Sequence, residues 1–531
     1  MDDKRVYLFD TTLRDGAQTQ GVDFNPADKE LIAKELDSIG IDYIEGGWPG
    51  ANPTDDAFFK NPLELKRSCL TAFGMTRRAG RSADNDPGLT ALLSAGAKAV
   101  CMVGKAWDFH IKVVLDIEPE ENIAMIRESV TLAAAKADKV IFDAEHFFDG
   151  YKANPEFALR CVKTAYEAGA RWVVLCDTNG GTLPDAIERI VGEVVAHVPG
   201  DRLGIHCHDD TENAVANSLA AVRAGVRQVQ GTLNGLGERC GNANLISIIP
   251  SLMLKMGYDT GLSGNDLGRL TRVSRFLDDR LNRMPDHSAA YVGERAFAHK
   301  GGLHVSAIEK DPRTYEHVTP DSIGNERHIV VSDQSGRSNV LARFREVGID
   351  VDPKDPKIGG LVEEVKNREH EGYAYDGAAA SFELLARRTL ETVPDYFSLQ
   401  SFRVMDERRW NARGELVTLS EATIKIDVDG QHFMTVAEGK GPVNALDNAL
   451  RKALTTIYPR LDDMRLADYK VRILTPGAGT EAVTRVMIES TDSDGNRWST
   501  VGVSANVIDA SYNALHDAIT FKLYRDGAKT K

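Results

Sequence analysis

Eight short runs of β-branched or otherwise apolar residues recur about every 25 to 40 residues through the first half of the chain, at 6–10, 42–46, 69–74, 97–103, 139–143, 171–176, 203–206 and 228–232. Amphipathic stretches rich in Ala, Glu and Lys separate them, which is how strands alternate with crossover helices. Eight such units over roughly 260 residues match the length of a (β/α)8 barrel. The predicted fold class is therefore α/β, with an N-terminal TIM barrel. A doubly wound open sheet alternates its elements in the same way.

Polar residues gather just after the runs and favour the barrel. Arg14, Asp15, Glu45, Arg77, Lys105, Glu145, Thr178, Asn179, His206, His208 and Asn234 all fall at the predicted C-terminal strand ends. A (β/α)8 barrel builds its site at that face.

Regular alternation stops near residue 265. A helical segment at 267–281 leads into Met284-Pro285-Asp286, and 285–380 reads as a small α-rich region with Ser335-Gly336-Arg337-Ser338-Asn339 opening a helix. From about 395 the pattern becomes strands followed by a helix, twice. Thr435-Val436-Ala437 before Asn444-Ala445-Leu446 is echoed 65 positions later by Thr500-Val501-Gly502 before Asp509-Ala510-Ser511. This predicts a duplicated βββα unit, with Asp429-Gly430 and Asp494-Gly495 as hairpin turns. The expected domains are a barrel over 1–265, connecting subdomains over 266–394 and a C-terminal α+β domain over 395–531.

At 531 residues the chain exceeds what one core usually accommodates. A net charge of -15 argues against a nucleic-acid partner, because phosphate binding needs clustered Lys and Arg. Six scattered cysteines with no Cys-x-x-Cys pair read as reduced and buried. No run approaches membrane-spanning length and the N-terminus enters a strand at once, so no membrane partner and a cytoplasmic location are expected.

His206-Cys207-His208, preceded by Leu203-Gly204-Ile205, reads as a strand end that turns two imidazoles to one side. Such a pair is either packed and hydrogen-bonded or holds a metal. Asp15, after the first strand, offers a hard oxygen ligand, though Asp also caps turns. Asn242 follows strand eight, the neighbour of strand one in a closed barrel. Asp15, His206, His208 and Asn242 then form a candidate set of two nitrogens and two oxygens with open positions for a chelating substrate. Arg14 is a candidate to stabilise a carboxylate or an oxyanion. Glu145 is a candidate base, and Thr178 a candidate hydrogen-bond partner for a substrate carboxylate. The glycines of Gly235-Leu236-Gly237-Glu238-Arg239-Cys240-Gly241 lack the spacing and the βαβ context of a dinucleotide loop.

Asp10-Thr11-Thr12-Leu13-Arg14-Asp15-Gly16, His206-Cys207-His208-Asp209-Asp210 and Gly237-Glu238-Arg239-Cys240-Gly241-Asn242 together resemble the Asp-Arg-Glu barrel metallolyases. More closely, the chain is similar nearly end to end to the 2-isopropylmalate, homocitrate and citramalate synthase family. Gly46-Gly47-Trp48-Pro49-Gly50-Ala51-Asn52-Pro53-Thr54 and Asp143-Ala144-Glu145-His146-Phe147-Phe148-Asp149-Gly150-Tyr151-Lys152 resemble its citramalate synthase branch.

The resemblance implies an acyltransferase that condenses acetyl-CoA with pyruvate and hydrolyses the thioester. The divalent metal (magnesium, manganese, cobalt or zinc) would sit on Asp15, His206, His208 and Asn242. It further implies that Glu145 and His304 share the acid and base roles with Tyr315 positioning or protonating, that His304 and Tyr315 come from the partner subunit of a homodimer, and that the duplicated domain binds isoleucine as effector. Asp143 departs from the family pattern, standing where several relatives place an aromatic pocket residue. Competing expectations are the same condensation on 2-oxoisovalerate, a retro-aldol lyase acting on a hydroxyacyl-CoA, and a non-catalytic amino-acid sensor.

Overall fold

Eight parallel strands close on themselves in the computed structural model, which describes residues 4–60, 63–330, 337–390 and 393–529. They are β1 (Tyr7–Asp10), β2 (Tyr43–Gly47), β3 (Cys69–Met75), β4 (Ala99–Lys105), β5 (Lys139–Glu145), β6 (Trp172–Asp177), β7 (Leu203–Cys207) and β8 (Gln228–Gly231). Each pairs with the next, and β8 returns to β1 with Asp10 opposite Gly231. Closure removes both sheet edges and excludes the open doubly wound alternative.

The strands are buried on both faces, which is why they read as apolar runs. Leu8, Val100, Phe142, Val173 and Ile205 pack outward into the layer shared with the helices. Phe9, Tyr43, Phe73, Cys101, Ile141, Trp172 and Val174 form a separate apolar cluster inside the barrel. The Trp172 indole N–H donates to the Tyr43 hydroxyl at 3.1 Å, so the interior's largest ring is satisfied as well as buried. Gly204 is needed for close approach: a Cβ there would lie 2.3 Å from Oε1 of Gln228 on the adjacent strand. Toward the C-terminal end the inward positions carry Glu45, Lys105, Glu145, His206 and Gln230 in place of the apolar side chains deeper in the barrel. Alternation therefore delivers chemistry to the C-terminal end.

At their C-terminal ends six strands stop within one residue of expectation and two run on. β4 and β5 each run two residues further than predicted, so Lys105 and Glu145 close strands instead of following them. The cysteines are all free, and Cys240 is exposed rather than buried.

Helix Pro26–Ile39 shows how one crossover helix serves the site. Asn25 and Asp28 form a capping box at its start, and Gly40, at φ 97°, ends it in the left-handed conformation. Its buried Lys29 pairs with the buried Asp55 of helix Pro53–Lys60 and donates to the Gly46 carbonyl at 2.9 Å. Asp55 also accepts from the Trp48 backbone N–H at 2.8 Å. A Cβ on Gly47, whose φ is 147°, would come within 2.4 Å of the Asp55 carboxyl carbon. Burial lowers the Lys29 ammonium from its ordinary value despite the opposing charge of Asp55. Within the pair each charge makes the other tolerable.

The described residues divide into two compact units, Met1–Phe297 with His317–Glu326, and Ala298–Glu316 with Arg327–Lys531. The first continues past the barrel through helix Leu270–Arg280, whose Thr271 donates to the Ile323 carbonyl at 2.8 Å.

The second unit begins with two short parallel strands, β9 (Ala298–His299) and β10 (His328–Ile329), and helices Gly302–Lys310, Arg337–Glu346, Lys357–Glu371 and Ala379–Leu390. Ser335 and Gly336, read as the opening of the second of these helices, lie outside the described residues. Then come the two predicted repeats. In the first, β11 (Ser398–Trp410), β12 (Leu416–Val428) and β13 (Gln431–Gly439) are antiparallel, and helix Pro442–Leu454 packs on them. In the second, β14 (Arg465–Ile473), β15 (Thr484–Thr491) and β16 (Arg497–Ser504) carry helix Val507–Arg525.

One hydrogen bond recurs at equivalent places: Thr435 Oγ1 donates to the Ala449 carbonyl at 2.7 Å, and Thr500 Oγ1 to the Ala514 carbonyl at 2.8 Å. The turns diverge. Asp429 and Gly430 both take positive φ, as a two-residue hairpin requires, whereas in the second repeat Asp492 accepts from the backbones of Asp494 and Asn496 and only Gly495 turns left-handed.

Replacing Lys29 with Met leaves Asp55 buried without its partner and should cost about 3–5 kcal/mol of stability. Urea unfolding of the variant against wild type checks this, and a loss below about 1 kcal/mol would show that the pair does not hold the Trp48 loop.

Candidate metal centre and active site

Asp15, His206 and His208 meet at the C-terminal mouth of the barrel. His206 Nε2 is 3.4 Å from Asp15 Oδ2 and 3.4 Å from His208 Nε2, and one ligand atom from each of the three falls within 4.8 Å of the others. All three side chains are buried, and among the described residues this is the only such group of His, Cys, Asp or Glu. Asn242 is brought alongside by an antiparallel bridge between its backbone and that of His208.

The donor set fits a divalent cation. Oδ1 of Asp15, Oδ1 of Asn242 and Nδ1 of His208 are buried with no hydrogen-bond partner among the described residues. Buried polar atoms are seldom left so. The Asn242 amide donates through Nδ2 to the Leu236 carbonyl at 3.3 Å, which leaves its oxygen free as a ligand. His206 Nδ1 lies 2.9 Å from Gln230 Oε1 and donates to it, a tautomer that leaves the Nε2 lone pair for the cluster. Burial and then the neighbouring His206 bring the His208 imidazole down to about 4, so it is neutral near pH 7, as a metal ligand must be. Against burial, the Arg14 guanidinium holds the Asp15 carboxyl well below the usual carboxylate range.

Arg14 is fixed from behind. Its Nε donates to Glu45 Oε2 at 2.7 Å, Nη1 lies 3.3 Å from Asp15 Oδ2, and the guanidinium stacks over the Phe73 ring at 4.0 Å. Glu45 is fully buried in the middle of β2 and also accepts from Thr11 Oγ1 at 2.6 Å. The sequence marks Glu45 only as a polar strand end, and the structure makes it the anchor of Arg14. Gln230 was missed altogether. It links His206 to Asp143 by donating from Nε2 to Asp143 Oδ1 at 3.1 Å. The available signal was a glutamine on the inward face of an otherwise buried strand.

A cavity of about 260 Å³ opens over the cluster, lined by Arg14, Asp15, His206, His208, Asp143 and Glu145 among others. A larger one of about 690 Å³ adjoins it and reaches toward Arg77 and Arg78. Glu145 forms an ion pair with Lys105 where the two cavities meet. Thr178 lines the smaller cavity, and its hydroxyl oxygen accepts from the His146 backbone N–H at 2.8 Å, leaving its own proton to donate. His304 and Tyr315 belong to the second unit, where their exposed rings stack with centroids 4.1 Å apart.

Three family models match the chain: HMGL-like over residues 5–277, a homocitrate synthase post-HMGL domain over 291–372, and the LeuA allosteric (dimerisation) domain over 376–523. The (R)-citramalate synthase of Geobacter sulfurreducens is 52% identical over 522 residues, and that of Aquifex aeolicus 50% identical over 525, each match covering 98% of both chains. The chain belongs to the (R)-citramalate synthase family. Against the 2-isopropylmalate synthase of Aquifex aeolicus the identity is 29% over 529 residues. The citramalate synthase family is thus separated from that related synthase within one organism.

Within this citramalate synthase barrel, Trp48 stands edge-on to Phe73 with ring centroids 5.3 Å apart and lines both cavities. Its backbone is the one held by Asp55 and Lys29. Asp143 sits at the floor of the smaller cavity. Burial, and then the nearby Glu45 charge, raise its carboxyl from the ordinary 3.8 to about 6.

Because the folded form holds this proton more tightly than the unfolded chain, Asp143 withdraws stability as pH rises from about 4 to about 6, by up to about 3 kcal/mol. The metal-free Asp143→Asn variant lacks that loss. Its urea midpoint should exceed wild type at pH 7.5 and converge on it near pH 4, and a pH-independent difference would contradict the assignment.

Proposed function

We propose that this protein condenses acetyl-CoA with pyruvate and hydrolyses the thioester to release (R)-citramalate and CoA, as part of isoleucine biosynthesis. The observation that carries this reading is the full-length identity of about one half to citramalate synthases, set against 29% to a 2-isopropylmalate synthase. A small cavity over the metal ligands, narrowed by Trp48 and Phe73 and adjoined by a larger one, supports a compact 2-oxo acid meeting a bulky thioester.

In this reading Asp15, His206, His208 and Asn242 hold a divalent cation, and two nitrogens with two oxygens accept magnesium, manganese, cobalt or zinc. Bound there, the ion supplies Lewis-acid polarisation of the 2-oxo carbonyl. Arg14, held by Glu45, presents a fixed positive charge to the oxygen on which negative charge grows. The Thr178 hydroxyl donates to the substrate carboxylate. Glu145 accepts a proton from the acetyl methyl group. His304 and Tyr315 complete the acid and base set from the partner subunit of a homodimer, and their exposed stacked rings suit a contribution made to another chain's site. Asp143 shapes the 2-oxo acid pocket. The LeuA-type domain is the pairing and regulatory module, with isoleucine as its effector, and the enzyme works in the cytoplasm.

Two measurements test this. CoA release from a panel of 2-oxo acids, with and without isoleucine or leucine, should give the highest kcat/KM with pyruvate and inhibition by isoleucine. A 2-oxoisovalerate kcat/KM about tenfold above that for pyruvate would move the chain to the neighbouring branch. Replacing His206 with Ala should leave the fold intact by circular dichroism while abolishing bound metal and lowering turnover at least about 100-fold; retained metal and activity would remove both the site and the mechanism.

A further inference from the structure

We propose that Lys105 is a further catalytic residue, which hydrogen-bonds the carbonyl oxygen of the acetyl thioester while Glu145 removes a methyl proton. The assignment rests on the reading of the protein as an acetyl-CoA-dependent synthase.

Lys105 and Glu145 are the last residues of β4 and β5 and stand opposite one another in the parallel register. Their side chains face inward together and form an ion pair. Five residues line both cavities: Trp48, Met75, Val103, Lys105 and Glu145. Of these, Lys105 and Glu145 carry charge, so an acetyl group passing from the larger cavity to the metal ligands in the smaller one crosses between them.

Of the three arginines lining the two cavities, two are engaged elsewhere and the third, Arg78, lines only the larger cavity. Arg14 is bound by Glu45 and Asp15, and Arg77 by Glu121 and Glu128 at 2.7 and 2.6 Å. Lys105 is paired with the very group that acts as base. Its backbone is held by the Asn122 amide, which donates to the Lys105 carbonyl at 3.0 Å, and by the Ala106 N–H, which donates to the Glu145 carbonyl at 3.0 Å.

The charge balance explains why a base would be kept beside an ammonium. As the methyl C–H bond breaks, its proton passes to a Glu145 oxygen and its electron pair forms the enolate C=C bond, placing the negative charge on the thioester oxygen. Lys105 keeps all its protons and exchanges a carboxylate partner for an enolate partner. The three groups together hold the same net charge before and after, so the largely buried junction never has to carry an uncompensated ion. The enolate carbon is then free to attack the 2-oxo carbonyl carbon.

The test uses the full-length, metal-loaded enzyme with Lys105→Met and Lys105→Arg. The Met variant should lose at least about 50-fold in kcat, with metal content and the KM for the 2-oxo acid unchanged within threefold, and should show an increased kinetic isotope effect with trideuterioacetyl-CoA. The Arg variant should recover at least about tenfold over Met. A smaller loss in the Met variant, or a loss accounted for by metal release or by a raised 2-oxo acid KM, overturns the proposal. Wild type serves as the control for the underlying reading: if it prefers another 2-oxo acid, the pyruvate assignment falls and Lys105 is tested with that acid, whereas failure to release CoA with any of them overturns the synthase reading itself.

Discussion

Everything at the mouth of this barrel depends on the hydrogen-bonded return of β8 to β1. Asp15 and Asn242 are more than two hundred residues apart in sequence, and no local preference could bring them together. Pairing of Asp10 with Gly231 sets the loop after β1 beside the loop after β8, and the bridge between His208 and Asn242 joins the latter to β7. Three segments thus converge on one point because the sheet closes on itself. Pairing of β1 with β2 places Glu45 behind Arg14, and closure places Gln230 between His206 and Asp143.

The arrangement is layered along the barrel axis. The N-terminal part of the interior is filled by aromatic and aliphatic side chains, among them Tyr43, Ile141 and Trp172, which contribute burial and ask little of their neighbours. The C-terminal end is polar and costly: Glu45, Asp143 and His206 are buried ionisable groups, each held by a named partner. This is the distribution expected when one end of a fold carries stability and the other carries strain for function.

Much of this was legible in the sequence because it follows from periodicity. The eight runs, the polar strand ends and the repeat at 65 residues all arise from side-chain geometry that the chain writes locally. The same holds for the convergence of His206, His208 and Asp15, whose residue types offer a candidate ligand set once closure is assumed. What was not legible were partnerships set by register. Gln230 offers only its inward place on a buried strand and gains meaning opposite Asp143 and His206. Lys105 and Glu145 read as polar residues just past the apolar runs, yet β-pairing continues for two more residues and brings them face to face. Nor does the sequence show Lys29 buried against Asp55, which depends on the packing of two helices.

The inward positions at the ends of successive strands are occupied here by Glu45, Met75, Lys105, Glu145, Cys176, His206 and Gln230, a mixture of acid, base, amide and apolar side chains on equivalent sites. None of them belongs to the apolar layer that fills the lower interior, apart from Cys176 at its upper margin. Such positions are interchangeable parts: the scaffold fixes where a side chain will stand without dictating which one it is. A lineage can therefore explore new chemistries one strand end at a time, and an engineer seeking a different acceptor acid has Met75 and Cys176 as places to begin.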